Sequence, residues 1–89
     1  VKQSIIANGC VIEGEVENSV LFRGVHVGKG TIIKNSVIMQ KTRIGENCRL
    51  EHVICDKDVK IGHHIEMSGT MSLPFIIKKG AVQGALMNS

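Results

Sequence analysis

The phrase "VENSVLFRGVHVGKG", Val16 to Gly30, returns seventeen residues later as "IKNSVIMQKTRIGEN". A fixed internal period constrains a short chain strongly. Each copy is one unit that cannot bury its apolar side alone, so the copies have to stack. From Val27 the text reads "VGKGTIIKNSVIMQKTR", then from Ile44 "IGENCRLEHVICDKDVK", then from Ile61 "IGHHIEM". In this alignment Val16, Ile33 and Leu50 share a column. So do Asn18, Asn35 and His52, and likewise Val20, Val37 and Ile54.

A shorter rhythm runs inside the period. Aliphatic or small apolar residues fall at Val27, Ile33, Ile38, Ile44, Leu50, Cys55 and Ile61, in steps of five or six. Four residues after each comes Thr31, Val37, Thr42, Cys48, Ile54, Val59 and Ile65, which are expected to point inward with them. An amphipathic helix needs apolar residues every three to four positions, and a hairpin sheet needs strict alternation with regular turn signals. Neither fits. A step of about six suits a short strand followed by a tight corner. Three steps then make one coil of a triangular prism, with the next coil about 4.8 Å above. This is the all-β, hexapeptide-type parallel β-helix, single-stranded, with 17-residue coils. The composition agrees: 43% of residues are hydrophobic, yet there is no Trp, no Tyr and only two Phe, and ten glycines supply corners.

The β-helix is expected over 1–82, with a loop at about 67–74 where "SGTMSLP" breaks the rhythm, and a C-terminal tail over 83–89. "IANGCV" reads as an early hexad. Ile6 to Val27 is 21 residues, four more than a coil, so a bulge is expected around Glu13 to Glu17. The chain opens at Val1 in mid-pattern and reads as a piece of a longer protein. A net charge of +3 without interleaved aromatics argues against nucleic-acid binding, and no apolar run approaches a membrane span. Cys10, Cys48 and Cys55 have no metal-type spacing and read as free thiols in a reducing, cytoplasmic setting.

"IANGCVIEGEVENSVLFRGVHVGKG", "KNSVIMQKTRIGEN" and "VICDKDVKIG" resemble the C-terminal domain of bacterial glucose-1-phosphate adenylyltransferase (ADP-glucose pyrophosphorylase) over roughly Val1 to Val82. "LPFIIKKGAV" resembles the D-type, glycogen-biosynthesis subunit more than the catalytic one. The resemblance implies a left-handed β-helix behind an N-terminal nucleotidyltransferase-like domain. It also implies a catalytic partner subunit, a homo- or hetero-oligomer and an anionic regulator near the domain junction. The whole protein, or its partner, would join ATP and glucose 1-phosphate to give ADP-glucose and pyrophosphate. The nucleotide loop and metal-binding aspartates of the family lie in the catalytic domain, so no catalytic residue, metal or cofactor is expected in this stretch.

Two enzyme readings compete. Some hexapeptide β-helices hold zinc with three histidines, but His26 and His52 occupy different columns, and His63 and His64 are adjacent and point to opposite faces. Hexapeptide acyltransferases use a His base, for which His26, His63 or His64 could serve, yet the loops of such enzymes are missing. The stronger candidates are surface columns. His26, Arg43 and Lys60 stack at one position of successive coils, with Arg23 and Lys41 close by, as a candidate anion or regulator site. Phe22 and Met39 form an outward apolar column continued by Asp56. With Ile32 and Val11 also outward, they are candidate interface residues. Asn18 and Asn35, and Gly28, Gly45 and Gly62, read as corner residues, and "VGKG" is not a phosphate loop because no helix follows it.

Overall fold

A computed structural model describes residues 3–80 and the backbone of 82–83. Among these residues there are fourteen short strands: β1 (Ile5–Ile6), β2 (Val11–Ile12), β3 (Glu15–Glu17), β4 (Val20–Leu21), β5 (His26–Val27), β6 (Ile32–Lys34), β7 (Val37–Ile38), β8 (Arg43–Ile44), β9 (Arg49–Glu51), β10 (Val53–Cys55), β11 (Lys60–Ile61), β12 (Glu66–Ser68), β13 (Phe75–Ile77) and β14 (Val82–Gln83). They form three parallel sheets, in the orders β1-β4-β7-β10-β13, β14-β11-β8-β5-β2 and β12-β9-β6-β3. Every third strand therefore returns to the same sheet one level higher. The chain is a β-solenoid with four full coils and part of a fifth.

The interior consists of ladders. Leu21, Ile38, Cys55 and Ile77 stack in one column, Val27, Ile44 and Ile61 in a second, and Val16, Ile33, Leu50 and Met67 in a third. All are buried. Such columns are why each coil repeats the residue types of the last: an inward side chain meets its own kind about 4.8 Å away. The β-branched residues have few rotamers to lose and pack closely on a pleated surface.

Small inward residues close the corners. Ser36 N–H donates to Ser19 Oγ at 3.0 Å, and Val53 N–H to Ser36 Oγ at 3.1 Å. Each hydroxyl in turn donates to the carbonyl two residues before it, Glu17 or Lys34, at 2.8 Å. At another corner Thr31 Oγ1 donates to Gly45 O at 2.5 Å and accepts the Cys48 N–H at 3.1 Å. Buried polar atoms are thereby paired with the next coil, which removes the penalty for placing them in an apolar core.

The serines correct the sequence reading of one column. Ser19, Ser36 and Val53 are the inward residues, while Val20, Val37 and Ile54 point outward and are half-buried. The step from Ile33 to Ile38 is five residues, so the next inward position comes three residues on rather than four. The expectation for Val37 and Ile54 was off by one residue, and one residue reverses the face.

The first coil departs in the opposite sense from expectation. Ile5 pairs with Val20 and Val11 with His26, an offset of fifteen, whereas Glu15 pairs with Ile32, an offset of seventeen. The segment after Ile12 is two residues shorter than its counterpart, not a bulge. Ile6 sits under Leu21, one hexad earlier in the coil than the Val27 column expected for it. Gly14 makes the shortcut possible, because a Cβ there would run into the carbonyl of Thr31. The break near the end of the chain is an insertion: the corner taken by one residue at Asn18, Asn35 or His52 becomes 69–74 between β12 and β13. Strand β14 includes Gln83, so strand structure passes the expected boundary at 82 by one residue. The rest of the expected tail, 84–89, lies outside the described residues.

Most corners carry a residue in the left-handed region. Asn18, Asn35 and His52 have φ of 50, 51 and 54°. Asn tolerates this conformation through its short polar side chain, and Asn18 Nδ2 donates to Asn35 Oδ1 at 2.6 Å to continue the ladder outside. Cys10, Cys48 and Cys55 are unpaired thiols. Burial pushes the Cys55 thiol from its ordinary 9.0 up to about 12. The unfolded thiol ionises first, so its contribution to stability is complete below pH 9 and falls as pH rises from there toward 12. A thiol reagent at neutral pH is expected to label one cysteine in the folded chain, the half-buried Cys10, and all three after denaturation. Rapid labelling of Cys48 or Cys55 in the folded chain would contradict this burial.

Candidate functional site

The three outer faces of the prism differ in chemistry. The first, built on β1, β4, β7, β10 and β13, carries Ile5, Val20, Val37, Ile54 and Ile76 in one register column. Beside it, at the following corner, stand Phe22, exposed, and Met39, half-buried. Asp56 ends this apolar run at the fourth coil. This aliphatic face holds no charge along its central column over five coils.

The second face, on β2, β5, β8 and β11, presents Val11, His26, Arg43 and Lys60 in register. The cationic column expected from the sequence is therefore present as one outward ladder. A shallow cleft of about 250 Å³ beside it is lined by Glu13, His26, Arg43, Glu46 and His63, among others. His63 Nδ1 accepts the Glu46 N–H at 2.8 Å, a bond that needs this nitrogen bare. The carboxylates of Glu13 and Glu46 moderate the positive field of the column.

Arg23 and Lys41 are not in that cleft. They sit on the corner between the aliphatic and cationic faces, where Lys41 N–H donates to Arg23 O at 3.0 Å. With Asn8, Phe22, Gly24 and Gln40 they line a wider cleft of about 490 Å³. The five candidate cations thus divide into a ladder of three and a corner pair. Lys41 adopts φ of 62°, and its place in the coil below is taken by Gly24.

The third face, on β3, β6, β9 and β12, mixes signs. Glu15, Ile32, Arg49 and Glu66 form one column and Glu17, Lys34 and Glu51 another. Opposite charges alternate between coils in the second column, which suits cross-strand pairing on a solvated face. Ile32 points outward as expected, yet it lies here among charges and away from Phe22 and Met39. The four interface candidates do not form one patch, since Val11 lies on the second face beside His26.

The sequence reading missed the most continuous surface feature, the Val20–Val37–Ile54 column. A strict count through the five-residue step would have turned it outward. It also missed Met71 and Leu73, which the loop leaves exposed and which no period can flag. Among the described residues no three His, Cys, Asp or Glu side chains come together to hold a metal ion. No helix among them is long and apolar enough to cross a membrane.

The parallel coils, the corner serines and the 17-residue offsets give the fold a specific sequence signature, and the family model described as GlmU-like, C-terminal hexapeptide matches residues 1–72. The chain belongs to this family. Within it, the chain is 66% identical over 89 residues to the glycogen biosynthesis protein GlgD of Bacillus subtilis (strain 168), covering all of this chain and 26% of that protein. It is 57% identical over 88 residues to GlgD of Geobacillus stearothermophilus, covering 99% of this chain and 26% of the relative. It is also 42% identical over 78 residues to the glucose-1-phosphate adenylyltransferase of Acetivibrio thermocellus, covering 88% of this chain and 18% of the relative. The chain thus spans about a quarter or less of the length of these curated relatives.

Proposed function

We propose that this chain is the assembly and regulatory domain of a cytoplasmic glucose-1-phosphate adenylyltransferase-like subunit acting in glycogen biosynthesis, without catalysis of its own. The observation that carries the reading is the 66% identity to a glycogen biosynthesis protein along the whole chain. In this reading an N-terminal nucleotidyltransferase-like domain precedes the solenoid, and a catalytic partner subunit forms ADP-glucose from ATP and glucose 1-phosphate. Phe22 and Met39 belong to the surface that joins subunits, with Ile32 on a separate face. His26, Arg43 and Lys60, with Arg23 and Lys41 at the neighbouring corner, are where an anionic regulator is read. Arg supplies forked donors suited to phosphate, and Lys a mobile point charge.

The test uses the full-length subunit together with its catalytic partner. ADP-glucose formation is measured against a titration of inorganic phosphate and of a sugar bisphosphate. Reversing both Arg43 and Lys60 to Glu is expected to weaken the response to the anion at least tenfold, with little change in unstimulated rate. An unchanged anion response sinks the regulatory half of the reading. The 89-residue chain is expected to form no ADP-glucose and to bind no coenzyme A. Saturable coenzyme A binding would replace the reading with that of a hexapeptide-repeat acyltransferase fragment.

A further inference from the structure

Side chains join successive coils at several corners. Ser19, Ser36 and Thr31 do so inside the prism, and Asn18 and Asn35 do so outside it. Hydroxyl and amide groups do not titrate, so those bonds are indifferent to pH. The corner that follows β8 and β11 is different. Glu46 stands there in the third coil and His63 in the fourth. Glu46 O accepts the His64 N–H at 2.9 Å as a ladder bond, while the Glu46 N–H donates to His63 Nδ1 at 2.8 Å. The imidazole lies close over Gly45, where a Cβ would stand 2.7 Å from Nδ1. Glycine leaves the notch in which the ring rests. Only a bare nitrogen accepts, so the proton of the neutral ring is on Nε2.

The charges around this ring are mixed. The cleft that His63 lines also holds His26 and Arg43 of the ladder, with Glu13 and Glu46. Lys60 stands next to Arg43 in the ladder, and His64 is the neighbour of His63 in the chain. With both cleft histidines neutral, one Arg faces two carboxylates, a balance of −1. With both protonated the balance is +1. The cleft therefore repels anions until its histidines charge.

We propose that His63 is a proton-operated latch that gates this cleft for compact oxyanions. The latch is a regulation of the anion site read above and rests on that reading. Histidine changes charge between about pH 5 and 8. The neutral ring alone makes the bond to Glu46, so the bond is whole at the alkaline end of that range and lost at the acid end. A proton on Nδ1 would set two donors face to face, and the imidazolium leaves the notch over Gly45. Its own N–H and the freed Glu46 N–H are then both available to an anion beside Arg43, together with one new positive charge. His63 is exposed, so it exchanges protons with solvent directly. His26 titrates on the same cleft but holds no bond between coils, so it supplies charge without release.

The test uses the 89-residue chain and sulfate, which stays a dianion between pH 5 and 8. Nitrogen NMR of the histidine rings reads the tautomer, and the Glu46 amide reports the bond. At pH 8 His63 is expected to carry its proton on Nε2. The Glu46 amide proton is expected to move upfield as the pH falls to 5. In His63→Asn, whose Oδ1 takes the place of Nδ1 without titrating, that amide is expected to stay fixed, with an unchanged circular dichroism spectrum. Sulfate is expected to bind at least tenfold more tightly at pH 5 than at pH 8. The gain is expected to stay above fivefold in His26→Asn and to fall below threefold in His63→Asn. A Glu46 amide that ignores pH, a ring protonated on Nδ1 at pH 8, or a His63→Asn chain that keeps the tenfold gain overturns the latch. The regulatory reading is tested apart from it, on ADP-glucose formation by the full-length complex. An anion response that is lost with Arg43→Glu and Lys60→Glu but is alike at both pH values ends the latch and leaves that reading standing.

Discussion

Val53→Asp is expected to abolish the cooperative thermal transition, whereas Ile54→Asp, one residue further on, is expected to melt close to the parent chain. Val53 is fully buried above Ser36, whose hydroxyl accepts its N–H, and its side chain fills the inward column. A carboxylate there would be desolvated with no cation beside it, a cost of several kcal/mol. A chain of 89 residues has about 4–13 kcal/mol of stability in all. Ile54 points outward between Val37 and Ile76, so its carboxylate stays in water at a cost of about 1 kcal/mol. Melting curves followed by circular dichroism decide the matter. If Val53→Asp melts normally and Ile54→Asp does not fold, the register of this sheet is wrong by one residue.

The second large effect is expected at a corner. Gly28 has an ordinary backbone conformation, so its role is spatial. A Cβ at this position would lie 2.6 Å from Gly45 O and 2.9 Å from Glu46 N. Both belong to the backbone of the coil above, so no side chain can swing aside. Gly28→Ala is expected to cost about 3 kcal/mol, an overpacking strain at the upper end of its usual range. In a chain of this size that lowers the melting temperature by roughly 15 °C. Lys29→Ala, at the exposed neighbouring position, serves as the control and is expected to shift it by less than about 3 °C. Equal melting temperatures for the two variants would mean that the coils do not approach as closely as described.

These two variants also mark what could be read from the sequence and what could not. The lead residues Val27, Ile33, Ile38, Ile44, Leu50, Cys55 and Ile61 all turned out inward, because a six-residue side leaves one choice for its apolar position. The followers Thr31, Thr42, Cys48 and Val59 are buried for the same reason. Val37 and Ile54 misled because hydrophobicity alone does not say which side of a parallel strand a Val or Ile occupies. The serine before Val37 carried the answer, since a corner Ser can close a hydrogen bond to the coil above, whereas Ile54 follows Val53, which gives no such signal. The shortened first coil depends on Gly14 and a close approach that no spacing announces. The left-handed corners could be anticipated at Asn18 and Asn35, but not at Lys41, where residue type gives no warning.

The candidate surfaces divide along the same line. The ladder of His26, Arg43 and Lys60 follows from the period alone and is present in the fold. Its separation from Arg23 and Lys41 depends on where the corner falls, which the period does not give. Phe22 and Met39 were legible as an outward pair. The face they border was not, because it rests on the five-residue step and on an inserted turn.

The mass of the full-length subunit complex carrying both Phe22→Asp and Met39→Asp tests the assembly role most directly. Both side chains border the aliphatic face and neither fills the core, so the variant is expected to fold with an unchanged spectrum. Light scattering is then expected to show the complex dissociating into smaller species under conditions where the parent complex stays whole. A double variant that keeps the full mass of the parent complex would contradict the role assigned to this face.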